Sequence, residues 1–519
     1  MEHQLTAPSA APADGPGTGG ADCDVAVIGA GPVGLALAIL LAQSGCSVIV
    51  LERWPAPYPL PRAVHFDHET GRILQSCGIG AALREISQPA DLYEWRNAAG
   101  TTLLRFGRSG PGASGWPDSS MFAQPDLEAL LDRRARQLGI DIRRGTEVTA
   151  LEQDAGGVTI GDAAGGTVRA RYAAGCDGAN SRVRDLCGIA VHDLGFRYDW
   201  LIVDVVLDQP RIFDPLNLQI CDPARPTTAV SGGPGRRRWE FMRLPGETLD
   251  QLSRETLAWE LLAPWDVTPG HARLERHAVY TFSARYAEQW RSGRVLLAGD
   301  AAHLMPPFAG QGLCAGLRDA ANLAWKLALV VAGQAPGALL DTYAEERLPG
   351  ARQAIDFSVS LGKVICVADP GAAAARDAAM AAAVTDQPVE VAAPPALDAG
   401  VIHPGAPHAG HLFVQGPVGG ELFDDVHGTG WRLVTMDISA DAIEPAARAW
   451  FESLGGQIVT LSRPHATYAR WFAEHETACA LQRPDFRLYG TATTPAGAAA
   501  LVHDLRRHLA RGSAGQEAT

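Results

Sequence analysis

Apolar positions along this chain follow two rhythms, one of buried helices and strands and one of half-buried sheet. Asp24 to Ile28 is a short, mainly apolar run, Leu35 to Ala42 a longer one, and a second strand-like run ends at Glu52. This order predicts strand, helix, strand, with Gly29-x-Gly31-x-x-Gly34 at the first turn and Gly45 stopping the helix after Ser44. Helical patterns follow at His68 to Cys77 and Pro125 to Leu138, then strands at Thr146 to Gln153 and Gly157 to Ile160. Tyr172 to Ser181 reads as a strand running into a turn. From Phe196 to about Tyr286 the pattern changes to alternation, as in Leu201 to Leu207 and Arg238 to Arg243, which predicts a sheet in a separate layer. Arg294 to Gly299 is again a buried strand, leading through a Pro/Gly-rich loop to a long helix at about Leu317 to Val331.

Residues 370–400 are crowded with Ala and Pro and have little periodicity, the pattern of a linker. Beyond it, Trp431 to Met436 and Gln457 to Leu461 read as strands, with a helix at Ala442 to Leu454 between them. Ala478 to Leu481 and Phe486 to Tyr489 suit a hairpin, and Pro495 to Ala510 a final helix. The expected class is α/β, a Rossmann-type domain interleaved with a β-sheet domain. The partition is a disordered tail at 1–22, a first domain from 23–195 and 287–369, a sheet domain at 196–286, the linker, and a third domain at 401–519.

Composition narrows the function. The chain has 519 residues, 47% of them apolar, enough for a sizeable core in two or three domains. A net charge of -14 argues against a nucleic-acid partner, which would need a basic surface. Nine scattered cysteines form no C-x-x-C pair and no zinc-like cluster, so no metal is expected and the thiols suit a reducing cytoplasm. The N-terminus lacks a basic region followed by an apolar core, and the longest apolar runs, Leu35 to Ala42 and Leu327 to Ala332, are too short to span a bilayer. A soluble protein with no membrane partner is expected.

Three motifs carry chemistry. In the first, Gly29 allows a tight turn, Gly31 lets backbone N–H groups approach a pyrophosphate, and Gly34 lets helix and strand pack closely. Glu52, at the tip of the second strand, suits a ribose hydroxyl. The second motif is Cys176-Asp177-Gly178-Ala179-Asn180-Ser181, in which Asp177-Gly178 is by itself a common turn pair. The third runs from Gly293 through Gly299-Asp300-Ala301-Ala302-His303 to Pro306-Pro307-Phe308-Ala309-Gly310-Gln311-Gly312. Asp300 suits a ribityl hydroxyl, the proline pair fixes the backbone, and the glycines let main-chain N–H groups approach a flat ring.

With these motifs in order, residues 24 to 360 resemble the FAD-dependent single-component aromatic hydroxylases. Pro61-Arg62-Ala63, Asp67-His68-Glu69-Thr70, Gln124-Pro125-Asp126-Leu127-Glu128 and Arg237-Arg238-Trp239-Glu240-Phe241-Met242 resemble the phenol hydroxylase and 3-(3-hydroxyphenyl)propionate hydroxylase branch. The resemblance implies that Gly29, Gly31, Gly34, Glu52, Arg53, Arg62, Gln124, Asp177, Gly299 and Asp300 hold FAD, with Pro307, Gly310, Gln311 and Gly312 against the flavin. NADH or NADPH would bind transiently as reductant. A small phenol and O2 would be the substrates, joined through a flavin C4a-hydroperoxide. His65 and Asp67 are the candidates for the phenolic proton, and Pro307 shapes the catalytic loop. Trp239 and Phe241 share a strand face and suit either the substrate pocket or the core. Arg238 and Tyr198 are further substrate candidates, and His303 suits a packing position near the flavin. The third domain resembles a thioredoxin-like domain without its cysteine pair, suited to packing, with a homodimer as the candidate assembly. The alternatives are a hydroxylase of a larger polyketide phenol and a non-catalytic FAD-binding protein.

Overall fold

The computed structural model describes residues 20–60, 62–107, 110–384, 388–389, 395–462 and 465–511. Most of the expected tail lies outside these residues.

The opening strand, Cys23–Ile28, is almost wholly buried. It lies between two parallel neighbours, Val48–Glu52 and Thr167–Gly175, which explains its unbroken apolar character. The helix Pro32–Gln43 is apolar all round because it too is buried, packed between Gln124–Gln137 and Gly312–Val331. The sheet continues outward through Asp141–Arg144 on one side and Val295–Leu297 on the other.

A second sheet has eight strands. Its centre is the long pair Val191–Leu207 and Ala272–Ala287, joined by Arg236–Met242 and Thr227–Ser231. Two of its strands, Leu92–Arg96 and Thr102–Gly107, come from outside the expected 196–286 segment. His303–Leu304 pairs with the same sheet, so the segment after Gly299-Asp300 is stitched directly to it.

The expected linker differs from the structure at its start. Pro370–Ala383 is a helix, capped by Asp369 and tied down by Arg376, which donates to the carbonyls of Val364 and Cys221. Alanine favours helix wherever nothing else decides. The expected helix His68 to Cys77 ends earlier, at Leu74, and gives way to a wider turn at Gln75–Ile79 where Gly78 takes a φ of 82°.

The C-terminal sheet has the order Gln457–Leu461, Arg432–Met436, Cys479–Gln482, Leu488–Ala492, with the first pair parallel and the rest antiparallel. It docks on the first domain through buried charges. Arg72 donates to both carboxylate oxygens of Asp424 at 2.6 and 2.9 Å and to the Phe413 carbonyl at 2.6 Å. Glu69 bridges Arg318 of the first domain and Arg487 of the last, each at 2.7 Å.

Glu69 makes this interface acid-sensitive. Burial pushes its carboxyl up, but Arg487 and Arg318 pull it further down, to about 2 from an ordinary value of 4.5. A depressed folded pKa gives stability that is present above the unfolded value and lost as pH falls. The contribution is about 3 kcal/mol, fading between roughly pH 4.5 and pH 2. Tryptophan fluorescence across that range should report undocking, since Trp325 and Trp431 meet across the interface at 5.4 Å. An unchanged acid transition in Glu69→Gln would refute the assignment.

Candidate functional site

The glycine loop follows Cys23–Ile28. Gly29 has a φ of 110°, and a Cβ there would lie 2.3 Å from the Cys176 carbonyl oxygen. A Cβ on Gly34 would lie 2.0 Å from the Gly29 carbonyl oxygen. Gly31 differs, because a Cβ there meets no protein atom within 4 Å. The helix it begins has no side-chain cap, so its first N–H groups face that open side. Glu52 braces the loop, accepting from Ala30 N at 2.7 Å and from Trp54 N at 2.9 Å. Arg53 lies over the Trp54 ring. Asp177 orders its own turn, accepting from Ser181 Oγ and Val183 N at 2.5 and 3.0 Å.

The third motif wraps the other side. Gly299 has a φ of 62° and donates its N–H to Asp319 Oδ2 at 3.1 Å, while Asp300 is exposed. Asp319 also takes His303 Nε2 at 2.6 Å and Arg347 Nε at 2.9 Å, so His303 is a buried brace of this loop. Pro307–Ala309 form one tight turn, closed by Gly310 at a φ of 63°. Gln311 accepts from Arg318, and Gly312 opens the long helix.

Two segments close the space between these motifs. Gln124 accepts from Ala63 N at 2.7 Å, and the Arg62 side chain lies over the Tyr58 ring at 4.5 Å. His65 Nδ1 lies 3.1 Å from the Gly310 carbonyl oxygen. A carbonyl only accepts, so Nδ1 carries the proton and Nε2 is the basic nitrogen. Burial lowers the His65 pKa and favours this neutral form.

Asp67, the other candidate for the phenolic proton, is engaged by structural partners. Its Oδ1 accepts from Thr70 N at 2.9 Å, capping the helix His68–Leu74, and its Oδ2 is ion-paired with Arg318. Burial pushes its pKa up, but Arg318 pulls it well below the carboxylate range. Asp67 is held as an anion by its structural partners and is a poor proton acceptor.

The second sheet presents one face to these loops. Trp200 and Phe282 stack at 5.8 Å, and Phe308 sits edge-on to both at 5.6 and 5.7 Å. Tyr198 lies at the end of this aromatic group, 5.0 Å from Phe196. Beside it the register aligns Asp204 with Arg238 on one neighbour and Arg276 on the other. Asp204 accepts from Arg238 Nε and pairs with Arg276, both at 2.7 Å. Arg238 also donates to the Arg62 carbonyl, which ties the sheet to the wrapping loop.

The pocket expectation for Trp239 and Phe241 is corrected by the same alternation. With Arg238 and Glu240 on the loop-facing side, Trp239 and Phe241 point away. They pack with Leu201, Val203, Leu252 and Leu262 under the helices on the far side. Asp204, Glu240, Arg276, Trp200, Phe282 and Phe308 lie at the loop-facing side and are not among the sequence candidates. Period-two spacing from Arg238 marks Glu240, whereas Asp204 and Arg276 emerge only from the strand register. Among the described residues, no group of three or more His, Cys, Asp or Glu side chains could hold a metal ion. No single described helix is long and apolar enough to cross a membrane.

This geometry suits FAD. The open side of Gly31, the uncapped helix, Glu52 and exposed Asp300 give the elongated polar surface a dinucleotide needs, and the turn at Pro307–Ala309 gives a flat ring an edge. Comparison with known proteins agrees. The FAD binding domain family matches residues 22–358, well over half of the chain. A probable NADH-specific resorcinol 4-hydroxylase of Rhodococcus jostii is 40% identical, covering 94% of this chain and 96% of the relative. A 3-(3-hydroxy-phenyl)propionate/3-hydroxycinnamic acid hydroxylase of Mycolicibacterium smegmatis is 35% identical over 86% of this chain and 83% of its own. Among solved structures, the flavin-dependent monooxygenase PieE in complex with FAD and substrate shares the fold, with a TM-score of 0.78 at 24% identity over 94% of this chain and all of that one. Aklavinone-11 hydroxylase with FAD and aklavinone has a TM-score of 0.74 at 25% identity, over 94% of this chain and 99% of that one. The glycine loop with its open side at Gly31 and these relatives converge, and the chain belongs to the FAD-binding family as one of its FAD-dependent aromatic hydroxylases.

Proposed function

We propose that this enzyme uses NADH and O2 to hydroxylate a small, uncharged phenol of the resorcinol type. One observation supports this choice over a phenylpropionate. Arg236 on the loop-facing side of the sheet is paired with Asp126 and Glu275, and the two arginines flanking Asp204 on that side, Arg238 and Arg276, are already paired with it. With Glu240 beside them, two acids face two bases and the surface is neutral overall. A substrate carboxylate would have to displace a buried ion pair, whereas a neutral ring need not. The 40% identical relative named for resorcinol supports the same reading.

When bound, FAD supplies the electron relay from NADH and the activation of O2. The chain's residues do the rest. Gly29, Gly31, Gly34 and the helix N-terminus hold the pyrophosphate, Glu52 and Arg53 the adenosine side, and Arg62, Gln124, Asp177, Gly299 and Asp300 the remainder. Pro307, Gly310, Gln311 and Gly312 shape the edge for the flavin ring. Trp200, Phe282 and Phe308 exclude water and orient the substrate ring, with Tyr198 at its border. His65 Nε2 receives the phenolic proton, for which its neutral form is ready. The nine free cysteines, eight of them buried, suit the reducing cytoplasm where NADH is available.

The test is oxidation of NADH and NADPH by flavin-loaded enzyme against resorcinol, 3-hydroxyphenylpropionate and polycyclic phenols, with product masses. Resorcinol should stimulate most, giving a product heavier by one oxygen. Preference for 3-hydroxyphenylpropionate or a polycyclic phenol would overturn the substrate assignment, and stimulation without product would overturn the hydroxylase assignment.

A related outcome concerns Trp239. Trp239→Ala should cost about 3–5 kcal/mol of stability, the usual loss for a buried tryptophan, yet leave the ranking of phenols unchanged. A reordered ranking would return Trp239 to the pocket.

A further inference from the structure

Glu240 is 7% exposed and projects from the loop-facing side of Arg236–Met242. It makes no hydrogen bond to any described residue, and its nearest cation, Arg238 Nη1, is 3.8 Å away. Arg238 spends its strong bonds on Asp204 and Arg62. The hydroxyls next to Glu240 are also committed elsewhere. Thr228, directly opposite in the register, donates to Gln219 Oε1 at 2.7 Å, and Tyr93 donates to the same oxygen at 3.3 Å. The face therefore offers a largely buried carboxylate with one longer ion-pair contact and no hydrogen bond from a described residue.

A largely buried carboxylate with no protein hydrogen bond gains from a ligand donor that reaches it and displaces its residual solvent. Burial raises the Glu240 pKa, as expected for a carboxylate short of donors. We infer that Glu240 contacts the substrate and accepts a hydrogen bond from a ring hydroxyl, so that it selects phenols bearing a free hydroxyl at that position over their methyl ethers. This rests on the proposed reaction and names the recognition element within it. The logic is that of a site built to bind a hydroxyl. It rejects the analogue lacking that donor, because its own polar group is then left unpaired.

The experiment measures kcat/KM and binding, read from the perturbed flavin spectrum, for resorcinol, 3-methoxyphenol and 1,3-dimethoxybenzene. Wild-type enzyme should bind the dimethyl ether at least about 10-fold more weakly than resorcinol, the cost of one charge-assisted hydrogen bond. In Glu240→Leu that preference should fall about 10-fold, with Glu240→Gln between the two, while the flavin-to-protein ratio shows that both variants are folded. Equal wild-type affinity for resorcinol and its dimethyl ether overturns the inference without any variant. So does an unchanged preference in flavin-loaded Glu240→Leu. If the wild-type enzyme hydroxylates resorcinol while either of these holds, the reaction stands and only the role of Glu240 falls. If it hydroxylates none of the phenols tested, the functional reading fails and takes this inference with it.

Discussion

Gly29→Ala is expected to give a protein without flavin. The added Cβ would sit 2.3 Å from the Cys176 carbonyl oxygen and 2.6 Å from its carbonyl carbon, both backbone atoms of a buried strand end that cannot swing aside. The residue also holds a φ of 110°, where an L side chain is strained. Overpacking costs about 1–3 kcal/mol and the strained backbone about as much again. Together they are enough to lower FAD affinity by roughly 100-fold or more. The check is the ratio of flavin to protein absorbance after purification, followed by FAD titration of stripped protein. Gly31→Ala separates the causes. Its Cβ meets no protein atom, so stability should hold while FAD binding weakens, because the methyl group occupies the side from which a pyrophosphate approaches. Wild-type flavin content in Gly29→Ala would sink this account of the loop.

The second large effect is expected at Glu346. Its Oε2 accepts from Arg483 at 2.6 Å, lies 2.9 Å from Lys326 Nζ, and accepts from Asn322 Nδ2 at 2.6 Å. Its Oε1 accepts from Val401 N at 2.7 Å. Burial pushes the carboxyl up, but Arg483 and Lys326 more than offset this, so it is held ionised. Glu346→Ala would leave Arg483 and Lys326 buried with their strongest anionic partner removed, Asp485 remaining beside Arg483. Breaking a buried pair from one side costs about 3–5 kcal/mol, mostly from the stranded charge. The urea midpoint of the holoenzyme should fall accordingly, with the C-terminal domain releasing first. A midpoint within experimental error of wild type would show that water or rearrangement compensates.

Local features of the fold were legible in the sequence. Gly29, Gly31, Gly34 and Glu52 carry their meaning within thirty residues, because one turn and one helix fix the spacing. The alternation of 196–286 revealed a sheet for the same reason. What it could not reveal is which face looks toward the motif loops, since apolar side chains of other elements cover both faces. Trp239 and Phe241 share a strand face that the sequence leaves open between pocket and core, and packing with Leu201, Val203, Leu252 and Leu262 places it in the core. The site-facing row is instead charged, and its neutrality arises only when three strands come into register. The ion pair that engages Asp67 is equally invisible locally, because its partner, Arg318, is 251 positions away. The helix at 370–383 is hard to see in the sequence because it is mostly alanine, with no apolar periodicity to mark a buried face.

The charged interface bears on how such enzymes change over generations. Arg72, Glu69 and Glu346 lie in the first domain, while Asp424, Arg483 and Arg487 lie in the last, and each depends on a partner across the boundary. A recombination event that exchanged the C-terminal segment for a foreign one would have to import matching charges at every one of these positions at once. The six residues therefore act as a single heritable block. Shuffling between relatives should succeed within the catalytic half or within the last domain far more readily than across the junction between them.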